Sequence, residues 1–104
     1  MKISRKLYDR LEEEGLQVRD NYSGRCMFGE TCFGIVVDNI ATAVYDLSEA
    51  LREIIITESR NDPDLAKEAD DVLEDGKLTE CRTDNMGLDC IIYFPHITVE
   101  QEEV

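Results

Sequence analysis

The chain has 104 residues, 42% of them hydrophobic, with 24 acidic and 11 basic side chains and a formal charge of −13. That length suits one core, so a single α+β domain over residues 1–99 with a frayed acidic tail at 100–104 is expected. A field of this sign repels DNA and RNA phosphates, which argues against direct nucleic-acid binding and for a protein partner with a basic surface.

The charge is lopsided. Residues 1–37 carry six basic and six acidic side chains, whereas residues 38–104 carry five basic and eighteen acidic, the whole excess. No stretch approaches the roughly twenty consecutive apolar residues that cross a bilayer. The opening MKISRKLYDRLEEEG lacks an apolar signal core, so a reducing cytoplasm and no membrane association are expected. Cys26 and Cys32 are spaced C-x5-C and Cys81 and Cys90 C-x8-C, which fits neither a zinc framework nor a CxxC redox pair. Buried free thiols are the expectation, with air oxidation joining Cys81 to Cys90 if they face one another across a hairpin.

In chain order, Ser4 caps a first helix, with Ile3 set to staple against Tyr8, Leu7 and Leu11 on its apolar side, and Gly15 as its left-handed stop. Leu16 to Arg19 alternates as a half-buried strand does, Asn21 to Gly29 reads as a loop, and Thr31 to Val37 is β-branched and aromatic enough for a second strand. Asp38 or Asn39 opens a long helix with Ile40, Val44, Leu47, Leu51, Ile54 and Ile55 at helical spacing and Asp46, Glu49, Arg52 and Glu53 opposite. The run Ile54-Ile55-Ile56-Thr57 would suit a strand, but the unbroken period keeps it helical. Asp62 caps a third helix with Pro63 in its first position and Leu65, Ala69, Val72 and Leu73 buried, and Gly76 ends it. Strands at Leu78–Thr83 and Leu88–Phe94, joined across Asn85-Met86-Gly87 and stopped by Pro95, form a second hairpin. The order αββααββ gives a four-stranded antiparallel sheet of two hairpins with helices packed on one face. RDN near the first hairpin and RTDN in the second, each followed by G-x-x-C or its like, raise the idea of an internal duplication.

Catalytic signatures are absent from the pattern. A Cys26 or Cys32 thiolate paired with His96 is the nucleophilic option, but no motif sets the histidine beside either thiol. Asp70, Asp71, Glu74 and Asp75 fall where a solvated helix face belongs. Asp62-Pro63-Asp64 lacks the alternating ligands and closing glutamate of a calcium loop, so no metal and no cofactor are expected. Ser23-Gly24-Arg25, with Arg82, offers amides, a hydroxyl and guanidinium groups suited to an anion, without the GK[ST] of a phosphate loop or a following helix. Tyr22, Met27 and Phe28 sit beside Arg25 in a connection that no core stripe needs, and this composition is enriched at protein contacts.

The block Tyr22 to Gly29, YSGRCMFG, followed by a cysteine and a β-rich run, resembles a YSGRxMxG segment found in small uncharacterised phage and bacterial proteins. The resemblance implies a phage-related context and no particular activity. By analogy with small acidic phage inhibitors of host defence, the expectation is a non-enzymatic interaction protein. Its partner-binding residues would be Tyr22, Arg25, Met27 and Phe28 with Asp62, Asp64, Asp70, Asp71, Glu74 and Asp75; a homodimer built on the loop is the variant of this reading. The alternative is a small-molecule or nucleotide binder using Ser23, Gly24, Arg25 and Arg82.

Overall fold

The computed structural model describes residues 1–22, 32–75, 77–86 and 89–101. Its elements are β1 (Lys2–Ile3), α1 (Arg5–Glu13), β2 (Gln17–Tyr22), β3 (Cys32–Val37), α2 (Ile40–Glu58), α3 (Pro63–Glu74), a 3-10 turn (Lys77–Glu80), β4 (Arg82–Met86), β5 (Asp89–Phe94) and β6 (Thr98–Val99). The fold is α+β, with a four-stranded antiparallel sheet in the order β2-β3-β5-β4. The two hairpins are neighbours, joined through β3 and β5, whose apolar runs CFGIVV and CIIYF fill the centre of the sheet.

Each helix starts where its cap chemistry allows. Ser4 Oγ accepts the Leu7 amide at 3.1 Å, Asn39 Oδ1 the Ala41 amide at 2.9 Å, and Asp62 Oδ1 the Leu65 amide at 3.2 Å, relieving orphan donors at three N-termini. After α1 the chain turns at Gly15, whose φ of +96° is one that a side chain would oppose. The isoleucine run at 54–56 is helical, because the buried stripe Leu47, Leu51, Ile54 outweighs the strand preference of branched residues.

Alternation along the strands sends Val18, Phe33, Ile35, Ile92 and Phe94 to one side, where they share a single buried cluster with Leu7, Leu11, Leu47, Leu51, Ile54, Ala69 and Val72 of the helices. Tyr8 meets Phe33 edge-on at 6.2 Å, and Phe33 stacks on Phe94 at 5.8 Å. Full burial of a side chain such as Leu51 or Ile54 contributes about 1.5–3 kcal/mol.

Five expectations change. Asn21 and Tyr22, expected in a loop, belong to β2, where Tyr22 pairs with Cys32. The strand expected at Leu78–Thr83 begins later: Lys77–Glu80 forms a 3-10 turn that buries Leu78, and the strand is Arg82–Met86. Its sequence RTDNM has little strand preference; it is held by the ladder to β5. Asn85 and Met86 belong to that ladder rather than to the turn, since Met86 still pairs with Asp89. The order αββααββ omits a parallel ladder of β1 with β6, in which Lys2 pairs with Thr98 and Ile3 with Val99. Ile3 therefore serves a strand, and the Thr98 and Glu100 amides donate to the Met1 and Ile3 carbonyls at 2.9 Å. Finally, Cys90 pairs with Asn85 while Cys81 precedes the strand, four rungs away along the ladder. At about 3.3 Å per residue the two thiols are roughly 13 Å apart along the strand, beyond disulfide reach.

Candidate interaction surface

The helices that cover the sheet also carry the acid. Residues 38–75 hold twelve acidic side chains and three basic ones. Because α2 buries Ala43, Leu47, Ala50, Leu51 and Ile54, its opposite side turns Asp46, Glu49 and Glu53 to solvent. Because α3 buries Leu65, Ala66, Ala69 and Val72, it leaves Asp64, Asp71 and Glu74 exposed and Asp70 half-buried, with Asp75 exposed just beyond its end.

The carboxylates divide into two sets. The inner set is tied to α1. Glu68 accepts both the Ser4 amide at 2.9 Å and the Ser4 hydroxyl at 2.5 Å, so α3 helps to cap α1. Lys6 pairs with Asp62, and Arg10 pairs with Glu14 and reaches Glu58 of α2 at 3.5 Å. Arg5 pairs with Asp20 of β2 and lies 4.6 Å over the Tyr8 ring. These contacts shift protonation: the Lys6 hydrogen bond, then the Leu65 amide, hold Asp62 below the usual carboxylate range, and the bond to Asp62 raises Lys6. Burial opposes the charge on Arg10, but Glu14 and Glu58 outweigh it and hold the guanidinium protonated.

The outer set has few partners. Glu49 is met by Arg52 at 2.6 Å and Asp71 by Lys67 at 3.3 Å. Among the described residues, Asp46, Glu53, Asp64, Asp70, Glu74 and Asp75 make no ion pair. An open cleft of about 430 Å³ lies between the α1–β2 turn and α2, lined by Glu14, Gly15, Leu16, Asp46, Glu49, Ala50 and Glu53.

The other side of the sheet is built differently. Tyr22, half-buried, pairs with Cys32, and its ring sits 5.0 Å from that of Tyr93 while its hydroxyl donates to Asp84 at 2.5 Å. A methyl added at Gly34 would lie 3.4 Å from Tyr22 Cβ and from Ile91 Cδ1, so the tyrosine passes closely over the strand at this position. The register in β2 shifts between Arg19 and Tyr22, the bulge that re-aims this side chain. Arg19, Gly34, Tyr93 and Arg82 occupy one rung, with the two exposed arginines at its ends. Cys32, Ile91 and Tyr93 are buried here, apart from the helix-side cluster.

Of the residues singled out from the sequence, Asp62, Asp64, Asp70, Asp71, Glu74 and Asp75 thus fall on or beside α3, though Asp62 is engaged by Lys6. Tyr22 and Arg82 lie on the sheet face turned away from the helices. Ser23, Gly24, Arg25, Met27 and Phe28 lie outside the described residues. So does Cys26, while Cys32 is 2% exposed and its Sγ donates to the Tyr22 carbonyl at 3.5 Å. Burial raises the Cys81 thiol. Among the described residues, no group of three or more His, Cys, Asp or Glu side chains is placed to hold a metal ion, and no helix is long and apolar enough to cross a membrane.

Two contributors were not singled out. Tyr45 and Ile56 are 63% and 71% exposed on α2, whereas Ile40, expected on the buried stripe, is 43% exposed at the helix's first position. The helical period carried the signal: Tyr45 and Ile56 fall between the apolar positions, eleven residues apart. Comparison with protein families, with curated proteins and with solved structures finds no match to this chain.

Proposed function

We propose that the protein is a non-enzymatic interaction module whose acidic helical side occupies a basic, normally nucleic-acid-binding, surface of another protein, in the manner of a phage-type inhibitor. The observation that carries this reading is the outer set of carboxylates on α2 and α3, of which Asp46, Glu53, Asp64, Asp70, Glu74 and Asp75 make no ion pair among the described residues, beside an inner set engaged by α1. A surface with fixed, uncompensated negative charge draws a cationic partner at long range and sets its orientation. The helices carry the reading rather than Tyr22, because that ring is engaged with Tyr93 and Asp84 on the opposite side of the sheet. A single flat partner surface reaches one side or the other.

The test is capture of partners from a host lysate on the immobilised protein, with elution by salt between about 0.05 and 0.5 M, where screening shortens from roughly 14 to 4 Å. The reading expects retained proteins that are basic, that elute with salt, and that lose bound DNA or RNA when the acidic protein is added. Retention that is insensitive both to salt and to charge reversal across Asp64, Asp71, Glu74 and Asp75 removes it.

A further inference from the structure

The outer face of α2 has a shape as well as a charge. Tyr45 and Ile56 stand eleven residues apart, three helical turns, and so lie on one stripe about 16 Å from end to end. They are among the most exposed large apolar side chains of the described residues, at 63% and 71%. Between them sit Glu49 and Arg52, joined to each other at 2.6 Å, so the one cation of the stripe is already held. Along one flank runs the cleft whose wall carries Glu14, Asp46, Glu49 and Glu53, with no lysine or arginine. Glu14 is matched by Arg10, which leaves Asp46 and Glu53 as the carboxylates without an ion pair there.

Resting on the interaction reading above, we infer that this face of α2 is the docking site, and that its occupant is a lysine- and arginine-rich amphipathic helix of the partner. Such a helix lays two apolar side chains against Tyr45 and Ile56 and sends cationic side chains into the cleft beside them. Charge complementarity selects this occupant. A second copy of the chain, laid face to face, would set Asp46, Glu49 and Glu53 against their own likes, and a nucleic acid would meet the same repulsion from its phosphates. The aromatic and the isoleucine give the contact a desolvated centre, the carboxylates a charged rim.

The experiment uses the full chain and a synthetic helical peptide of leucine and lysine with leucines at helical spacing, titrated at about 0.1 M salt, where long-range attraction is partly screened. Three double variants are compared, each first checked for an unchanged unfolding midpoint: Tyr45→Ala with Ile56→Ala, Asp46→Lys with Glu53→Lys, and Glu74→Lys with Asp75→Lys. The last two change net charge equally and differ only in place. Loss of about tenfold or more for each α2 pair, against less than about threefold for the α3 pair, supports the inference; tenfold corresponds to about 1.4 kcal/mol. Equal losses from the two charge pairs, or no loss from the apolar pair, overturn the docking site while leaving a general acidic surface. No binding of the peptide even at low salt overturns the docking site and the interaction reading together.

Discussion

The charges of α1 and those on the outer sides of α2 and α3 differ in what they touch, and the difference separates charges that hold the fold from charges left to the solvent. Arg5, Lys6 and Arg10 each bind a carboxylate of another element: Asp20 of β2, Asp62 at the start of α3, and Glu58 of α2. Side chains of Arg10, Glu14 and Glu58 are only 19–22% exposed, so these pairs are partly shielded from water and salt. By contrast, Asp46, Glu53, Glu74 and Asp75 face solvent without ion pairs among the described residues, where charge adds little to stability and much to long-range attraction.

The widest gap is expected at Arg10. Replacing it with methionine leaves Glu14 and Glu58 half-shielded without their cation, and urea unfolding should show a loss of about 1–3 kcal/mol. Ser4→Ala removes the cap of α1 and the hydroxyl donated to Glu68, and should cost about 1 kcal/mol by the same measurement. A loss at either position no larger than that at Glu74 would erase the distinction between the two regions.

The Lys6–Asp62 pair sharpens the comparison through pH. Asp62 is depressed in the folded state, so its contribution is present above the unfolded carboxylate value near 3.9 and lost as pH falls through the lower folded value. Lys6 is raised, so its contribution is full below the unfolded value near 10.4 and lost as pH rises through the higher folded one. The stability difference between the wild type and Lys6→Ala should therefore hold level between those limits and close at both ends. A difference that instead grows on acidification would contradict the assigned pair. The smallest effect belongs to the outer set: Glu74→Gln with Asp75→Asn should change unfolding stability by less than about 0.5 kcal/mol.

Much of this plan is legible in the chain. Ser4, Asn39 and Asp62 announce their helices because a cap needs a particular side chain at a particular place, and the apolar stripe from Leu47 to Ile54 settles a run of isoleucines that local preference would make a strand. What is not legible depends on partners distant in sequence. RTDNM becomes a strand because CIIYF needs a neighbour, and Ile3 joins Val99 through a ladder too short to show a period. The sequence also places Tyr22 and the α3 carboxylates in one candidate surface. The strand register sets them on opposite sides of the sheet, because the parity of Gly34 and Tyr93 directs Tyr22 away from the helices.

The central claim, that the partner meets the acidic helices and not the tyrosine side of the sheet, is tested most directly by amide chemical-shift mapping during titration with a cationic helical peptide. Perturbations should gather on the acidic helices, foremost on residues 44–57 of α2, and vanish with added salt. Perturbations gathered instead on residues 17–22 and 82–94 would contradict it.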